Sequence, residues 1–229
     1  MSDIQNNTET DASTYDTFIL QLQPKYEEML EVVVNCLPDT NENPTILDIG
    51  CGTGNLSLKI YQRFPNAKVI CIDESLDYLK ICQVKLNAFP NTEFLSGNFN
   101  DYSGENGKFD AIIMSFAFLE IARTDEEKIA FLTKCKNLLK KDGVIYMAES
   151  IKPENNPYLE SLYTQMAEAH RKINGLDEND NRFKKYQKIN SEFGCNLRKY
   201  VEVFNKAGFN NFNLVWKFYE AAVIGSSNN

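Results

Sequence analysis

The stretch ILDIGCGTGNL, residues Ile46–Leu56, decides how the rest of the chain is interpreted. A short β-type apolar run carries an acid near its end, a tight glycine-rich turn follows, and a helical pattern begins at once. Glycine tolerates positive φ and leaves space for a close ligand because it lacks a Cβ. The amides of such a turn, with the N-terminus of the next helix, face whatever lies above the carboxyl end of the strand. The stretch therefore predicts a ligand-binding turn, with an ordinary strand-to-helix loop as the alternative.

A second buried strand is predicted over Lys68–Ile72, and it ends at Asp73 and Glu74. An acid about 20 residues after the glycine turn, at the tip of the second strand, is where α/β folds bind a ribose diol. A carboxylate only accepts hydrogen bonds, so it can take one from each ribose hydroxyl. Asp73 is therefore predicted to bind ribose. Its alternative role is a second cap for the helix that begins after Ser75.

Predicted strands alternate with helical segments along the whole chain. Further apolar runs lie at Phe94-Leu95, Phe109–Met114 and Val144–Met147, with polar turns and helix-type spacing between the runs. This alternation predicts a mostly parallel sheet with helices on both faces. A chain of 229 residues that is 43% hydrophobic has enough apolar material for one such α/β domain.

These motifs, in this order, resemble those of the class I methyltransferases that use S-adenosylmethionine (SAM). The spacing Gly50-x-Gly52-x-Gly54 differs from the G-x-G-x-x-G of dinucleotide binders. The resemblance extends over most of the chain, residues 45–225. It implies a Rossmann-like, mostly parallel seven-stranded sheet with helices on both faces and a closing antiparallel hairpin after Lys206–Phe209. It also implies SAM as the cofactor and methyl transfer as the reaction.

The resemblance further implies which residues hold SAM. The glycine turn would lie under the methionine end, and the acids after the second strand would bind the ribose. Asn98 occupies the position at which the family has an acid that binds the adenine. Its alternative role is that of an ordinary turn residue. The predicted cofactor-binding residues are Asp48, Gly50, Gly52, Gly54, Asp73, Glu74, Asn98, Phe99, Ser115 and Tyr26.

Two segments outside the nucleotide-binding core are predicted to cover the active site. They are an N-terminal helical lid over residues 14–36 and a helical insert over residues 151–205. Residues 14–229 would then form a single SAM-binding domain, and the polar residues 1–13 are predicted to be disordered. The aromatic residues of both segments could either line the site or pack in the core.

Three residues are candidates for catalysis: Glu120, Tyr15 and His170. Glu120 follows Phe116 and Phe118 just after the predicted fourth strand, and a carboxylate beside aromatic rings favours a cationic or amine acceptor. We therefore expect methylation of a small-molecule amine on nitrogen. O-methylation, with Tyr15 or His170 serving a hydroxyl, is one alternative. A non-catalytic SAM-binding regulator, its pocket blocked by the two phenylalanines, is the other.

The Tyr-rich segment before the first strand, the long insert and the Lys-Ala-Gly-Phe turn at Lys206–Phe209 also resemble those of carboxy-SAM synthases. In that family an arginine three residues before the lysine holds the extra carboxylate, and here that position is Val203. The resemblance thus extends to the architecture, while this departure argues against carboxy-SAM chemistry.

The charge of the chain limits its partners. A formal net charge of -8 repels phosphate backbones, so nucleic acid is not an expected partner, and the basic cluster Arg182–Lys188 is interpreted as a solvated helix face. One histidine and no acidic cluster at ligand spacing predict no metal site. Six cysteines without C-x-x-C spacing, no signal segment and no membrane-length apolar run favour a cytoplasmic protein away from membranes. A homodimer is possible.

Overall fold

The predicted strands assemble into one sheet around the glycine turn. The computed structural model describes residues 12–39 and 41–229. Seven strands follow the order β3-β2-β1-β4-β5-β8-β7, and a two-residue β6 pairs with β5 off this path. The strands are β1 (Thr45–Ile49), β2 (Lys68–Asp73), β3 (Thr92–Ser96), β4 (Phe109–Ser115), β5 (Leu139–Lys152), β6 (Cys195–Asn196), β7 (Asn213–Phe218) and β8 (Ala221–Ser227).

The strand directions confirm the expected fold class. β1 to β5 pair in parallel, whereas β8 runs antiparallel to both β5 and β7. The result is a Rossmann-like α/β sheet whose last two strands form the expected closing hairpin. The carboxyl ends of β1 to β5 consequently meet along one edge, which is where ligands bind in open α/β sheets.

Helices cover both faces of this sheet. They are α1 (Tyr15–Leu22), α2 (Tyr26–Asn35), α3 (Asn55–Arg63), α4 (Leu76–Lys85), α5 (Phe118–Ile121), α6 (Asp125–Leu138), α7 (Pro157–Ile173), α8 (Asn181–Phe193) and α9 (Leu197–Lys206). Two of these helices start with ordinary caps: Ser75 Oγ accepts from the Tyr78 amide before α4, and Thr124 forms a capping box with Glu127 before α6.

Alternate residues of the central strands belong to two separate hydrophobic clusters. Ile46 and Ile113 pack on one face of the sheet with the apolar sides of α1 to α4. Leu47 and Ile112 pack on the other face with those of α6 and α9. Because both faces are buried, these strands are continuous apolar runs, the pattern that predicted a parallel sheet.

The predicted lid is fastened to the glycine turn by one carboxylate. Asp16 of α1 accepts from Thr53 Oγ1 at 2.6 Å, from Asn55 Nδ2 at 3.0 Å and from Lys85 Nζ at 2.7 Å. These contacts hold the pKa of Asp16 below its ordinary value despite the opposing effect of partial burial. The first helix is therefore tied to the start of α3 and to the end of α4.

The predicted insert folds back over the same edge of the sheet. Arg182, at the start of α8, binds Asp180, donates to Thr14 Oγ1 at 3.0 Å and lies 4.3 Å above the Phe18 ring. The insert and the first helix are thus in contact. Among residues 12–39 and 41–229, no helix combines the length and hydropathy that crossing a bilayer requires.

Two segments differ in detail from the expectation. The predicted disordered tail lies outside the described residues except for Ala12, which is helical and buried, and Ser13, which is also helical. Helix-type and strand-type runs before Val144 were expected to be joined by a polar turn; Asp142 and Gly143 instead lie within β5, at an irregularity where Phe109 pairs with Leu139 but Ala111 pairs with Val144. Asp142 has φ 62° there.

A buried glutamate holds the turn that follows β4. Glu149 of β5 accepts a hydrogen bond from the Phe118 amide at 2.9 Å, just beyond Phe116, whose φ is 53°. Burial raises the pKa of Glu149 to about 8 from its ordinary value of 4.5, although backbone amides at Phe118 and Ser150 oppose the rise. At a pH between 4.5 and about 8, Glu149 therefore takes up a proton when the protein folds.

This proton uptake predicts a pH-dependent stability. Because the folded-state pKa is raised, the contribution of Glu149 to the free energy of unfolding is full below pH 4.5 and falls as the pH rises to about 8. Glu149→Gln keeps an oxygen that can accept from Phe118 and removes the titration. Denaturant unfolding across this range should show that the free energy of unfolding of the variant rises relative to that of the wild type as the pH increases, by up to a few kcal/mol.

Glu126→Gln, at an exposed glutamate of α6, is the matched control and should follow the wild-type profile. A constant difference between Glu149→Gln and wild type at every pH would contradict the assignment.

Candidate functional site

A cavity of about 460 Å³ opens at the carboxyl ends of the parallel strands. Its walls come from the glycine turn, the ends of β2 to β5, the first helix, α5 and one face of α8. Pockets that hold metabolite-sized ligands have volumes of about 300–1,000 Å³. The glycine turn and the segments predicted to cover the active site therefore meet around one cavity of suitable size.

The glycine turn forms the floor of the cavity. The amides of Gly50 and Cys51 donate to the Ile72 carbonyl at 2.8 and 3.1 Å, so the turn is bound to the end of β2. Gly50 has φ +64°, and a Cβ there would lie 2.4 Å from the Ala117 Cβ. Gly52 has φ +54° and faces open space. Backbone conformation and close packing therefore both require glycine at position 50, and backbone conformation favours it at position 52.

Asp73 connects the turn to the ribose end of the cavity. Its Oδ2 accepts from the Gly52 amide at 2.8 Å and its Oδ1 from the Ser75 amide at 2.8 Å. Burial raises the pKa of Asp73 despite these two hydrogen bonds. Each carboxylate oxygen has a second lone pair, so the group can still accept from a diol. The predicted ribose-binding role and the alternative capping role are therefore compatible.

Three of the predicted residues line the end of the cavity where adenine binding is predicted. Asn98 accepts from the Asn100 amide through Oδ1 and donates to Glu74 Oε2 at 3.3 Å. Phe99 is buried, and its ring centroid lies 4.9 Å from that of Phe131. The cavity therefore meets part of the Phe99 ring, while the rest belongs to the core.

The end of β4 contributes a polar atom and a ring. Ser115 Oγ is buried and makes no hydrogen bond of good geometry with the described residues. Phe116 lines the cavity, and Tyr26 stacks behind it at 6.4 Å between ring centroids. Tyr26, a predicted cofactor-binding residue, supports Phe116 from the core because α2 packs against the sheet below the cavity. Burial raises the pKa of its phenol to about 12.

Other predicted residues also lie behind the cavity wall. Asp48 is buried beneath the turn, accepts from Ser57 Oγ at 2.6 Å, and has a pKa raised well above its usual range by burial. Gly54 packs against Cys82, and Phe118 packs in the core against Phe131. These three residues shape the turn and the sheet edge, so the structure gives them a supporting position in place of the expected contact with ligand.

The catalytic candidates separate into two groups. Tyr15 and Glu120 both line the cavity, and burial raises the pKa of the Tyr15 phenol well above 10. His170 does not: its Nε2 lies 3.0 Å from the Leu20 carbonyl oxygen and its Nδ1 3.2 Å from Asn174 Nδ2. Since α7 packs on the outer side of α1, His170 joins the two helices and is not a wall residue.

The insert supplies residues that the sequence did not assign to the site. Lys185 donates to Glu120 Oε2 at 2.5 Å, and the Tyr186 hydroxyl lies 3.0 Å from Ser150 Oγ. With Arg182, they occupy positions i, i+3 and i+4 on one face of α8, and all three line the cavity. The basic cluster was interpreted as a solvated helix face, yet this spacing was the available signal that one face meets the protein.

SAM fits this arrangement. Gly52 and Gly97 leave open space above the backbone, Asp73 keeps acceptor capacity, and Ser115 presents a buried hydroxyl. An aromatic wall beside them suits an adenine ring or a sulfonium.

Comparison with known proteins agrees with the geometry. Residues 46–143 match the family model described as a methyltransferase domain. A carboxy-S-adenosyl-L-methionine synthase of Helicobacter pylori is 23% identical over 94% of this chain and 90% of its own length. A malonyl-[acyl-carrier protein] O-methyltransferase of Ilyobacter polytropus is 33% identical over 50% of this chain and 41% of its own.

A solved SAM-dependent methyltransferase of Aquifex aeolicus superposes with a TM-score of 0.65 at 15% identity, covering 96% of this chain and 98% of that one. Residues 46–143 therefore carry a methyltransferase domain, and the fold, the glycine turn and these similarities support a class I SAM-dependent methyltransferase with SAM as its cofactor.

Proposed function

We propose that the enzyme methylates a nitrogen atom of a small-molecule amine that Glu120 holds in the cavity. The observation that carries the proposal is the pair between Glu120 and Lys185, 2.5 Å apart at the cavity wall. The lysine side chain ends in a primary ammonium, the same group that a protonated amine acceptor presents. Lys185 is 61% exposed and belongs to the insert, so its ammonium can be exchanged for that of a ligand.

Aromatic rings beside Glu120 suit the same acceptor. Phe116 and Tyr186 have ring centroids 6.4 Å apart in an edge-to-face arrangement, and Tyr15 lies at the other side of the cavity. A cation near such ring faces gains about 0.5–2 kcal/mol, more as it is desolvated. An ammonium held between a carboxylate and these rings would be oriented as well as bound.

Methyl transfer requires the protein to position the acceptor and to provide one group that accepts its proton. SAM, when bound, supplies a methyl group on a sulfonium that is already electrophilic. Glu120 fixes the acceptor nitrogen and takes up its proton, so that a lone pair faces the cofactor end of the cavity. The lid and insert exclude water from this space through the Arg182 contacts with Thr14 and Phe18.

The alternatives receive less support from the residues present. The Tyr15 phenol stays protonated because burial raises its pKa, so it is a hydrogen-bond donor and a poor base for a hydroxyl acceptor. Phe116 leaves a cavity of about 460 Å³, which argues against a blocked, non-catalytic pocket. Val203 is buried in the core, so the position of the arginine in carboxy-SAM synthases offers no cation here.

We also place the enzyme in a reducing compartment such as the cytoplasm, because all six cysteines are free thiols. A small metabolite is the proposed acceptor class, and nucleic acid is not a proposed partner. Homodimerisation stays a prediction.

Asp73→Asn tests the cofactor site. The variant loses the charge that strengthens ribose hydrogen bonds, so S-adenosylhomocysteine affinity, measured by calorimetry, should fall by about 10- to 100-fold. Asp77→Asn, at the start of α4, changes the same group outside the cavity and should bind like the wild type. Unchanged affinity in a folded Asp73→Asn protein would refute the assignment.

Variants of the Glu120–Lys185 pair test the acceptor class. A panel of primary amines, phenols and carboxylic acids is incubated with methyl-labelled SAM, and the products are identified by mass spectrometry and NMR. We expect N-methyl products. Lys185→Met frees Glu120 from an exposed ion pair, so KM for the amine should fall about two- to fivefold.

Glu120→Gln keeps the shape and removes the charge, so it should lose most of kcat/KM for the amine while SAM affinity is kept. Lys188→Met, an exposed lysine of the same helix, is the control for Lys185→Met. Exclusively O-methylated products, or unchanged kinetics in Glu120→Gln, would contradict the amine assignment.

A further inference from the structure

Three cysteines from three elements meet directly beneath the glycine turn. Cys51 belongs to the turn, Cys71 to β2 and Cys82 to α4. Their Sγ atoms all lie within 4.8 Å of one another, and the three residues are 7%, 0% and 0% exposed. This cluster could not be recognised from the sequence, because the residues are separated by 20 and 11 positions and form no ligand motif.

The backbone around the cluster leaves room for sulfur. A Cβ at Gly54 would lie 2.7 Å from Cys82 Sγ, so the glycine at this position accommodates the thiol. Ser57 Oγ lies 3.3 Å from Cys71 Sγ on another side. Cys135, in contrast, is buried in the opposite hydrophobic cluster and belongs to no such group of sulfurs, as a small apolar residue would.

The triangle of sulfurs has the dimensions of a metal site. Three atoms that all lie within 4.8 Å of one another leave a central point within about 2.8 Å of each. Metal–thiolate bonds are about 2.3 Å long, so shifts of about half an ångström per side chain would complete the coordination. Rotation about χ1 supplies such a shift without moving the backbone.

We propose that Cys51, Cys71 and Cys82 form a three-coordinate thiolate site for a soft monovalent cation, Cu(I). Soft thiolate ligands select Cu(I), Zn²⁺ or iron–sulfur clusters, and structural Zn²⁺ is almost always four-coordinate. Among the described residues this group of mutually close ligand atoms has three sulfurs and includes no fourth His, Cys, Asp or Glu, which favours the monovalent ion. Each thiol that binds the ion releases its proton to solvent, and no electron transfer is involved.

A titration of the whole, reduced protein with Cu(I) under anaerobic conditions tests the proposal. Competition with a chromophoric Cu(I) chelator should give about one bound equivalent, and X-ray absorption should show three sulfur neighbours at about 2.3 Å. Removing one ligand in Cys82→Ala should weaken binding at least about 100-fold, more than the loss of an outer-shell partner does. Cys135→Ala, the matched buried cysteine, should bind like the wild type.

Three results would each overturn the proposal: a wild-type protein that yields all Cu(I) to the chelator, a sulfur count other than three, or equal losses in Cys82→Ala and Cys135→Ala. Tighter binding of Zn²⁺ with a fourth ligand would overturn the choice of ion. Cys51→Ala repeats the ligand test should Cys82→Ala fail to fold, as judged by circular dichroism. The wild-type measurements require neither variant and no turnover, so they are independent of the proposed amine chemistry.

Discussion

The attachment of the glycine turn to the end of β2 is the constraint on which the site depends. The amides of Gly50 and Cys51 donate to the Ile72 carbonyl, and the Gly52 amide donates to Asp73. Three consecutive backbone donors are thereby satisfied at the edge of the sheet, where an unpaired buried amide would cost about 1–3 kcal/mol. The same contacts bring the turn beside the carboxylate that is proposed to hold the ribose, so fold and cofactor site share one set of hydrogen bonds.

Elements outside the sheet are then positioned relative to that turn. Asp16 joins the first helix to Thr53, Asn55 and Lys85, and Arg182 joins the insert to the first helix. The cavity is consequently enclosed by charged contacts between segments distant in sequence. Such contacts are individually weak when exposed.

The electrostatics of the cavity separate its two ends. Asp73 and Glu74 lie at the end proposed to hold the cofactor, while Glu120 and Lys185 pair at the end proposed to hold the acceptor. Burial raises the pKa of Glu149, which lies between the sheet and the turn after β4, to about 8. A protonated Glu149 adds no negative charge near Glu120 at neutral pH. Glu120, paired with Lys185, is the side chain proposed to hold the acceptor.

The sequence by itself determined the sheet, the glycine turn and the position of Asp73, because buried strands and positive-φ turns depend on local residue types and spacing. Tertiary structure decided which side chains reach the cavity. Asp48, Gly54, Tyr26 and Phe118 lie behind its wall, and His170 joins two helices, since helix rotation and packing depth follow from long-range contacts. The same holds for Lys185, Tyr186 and the cysteine cluster. These residues come from separate elements that only the folded chain brings together.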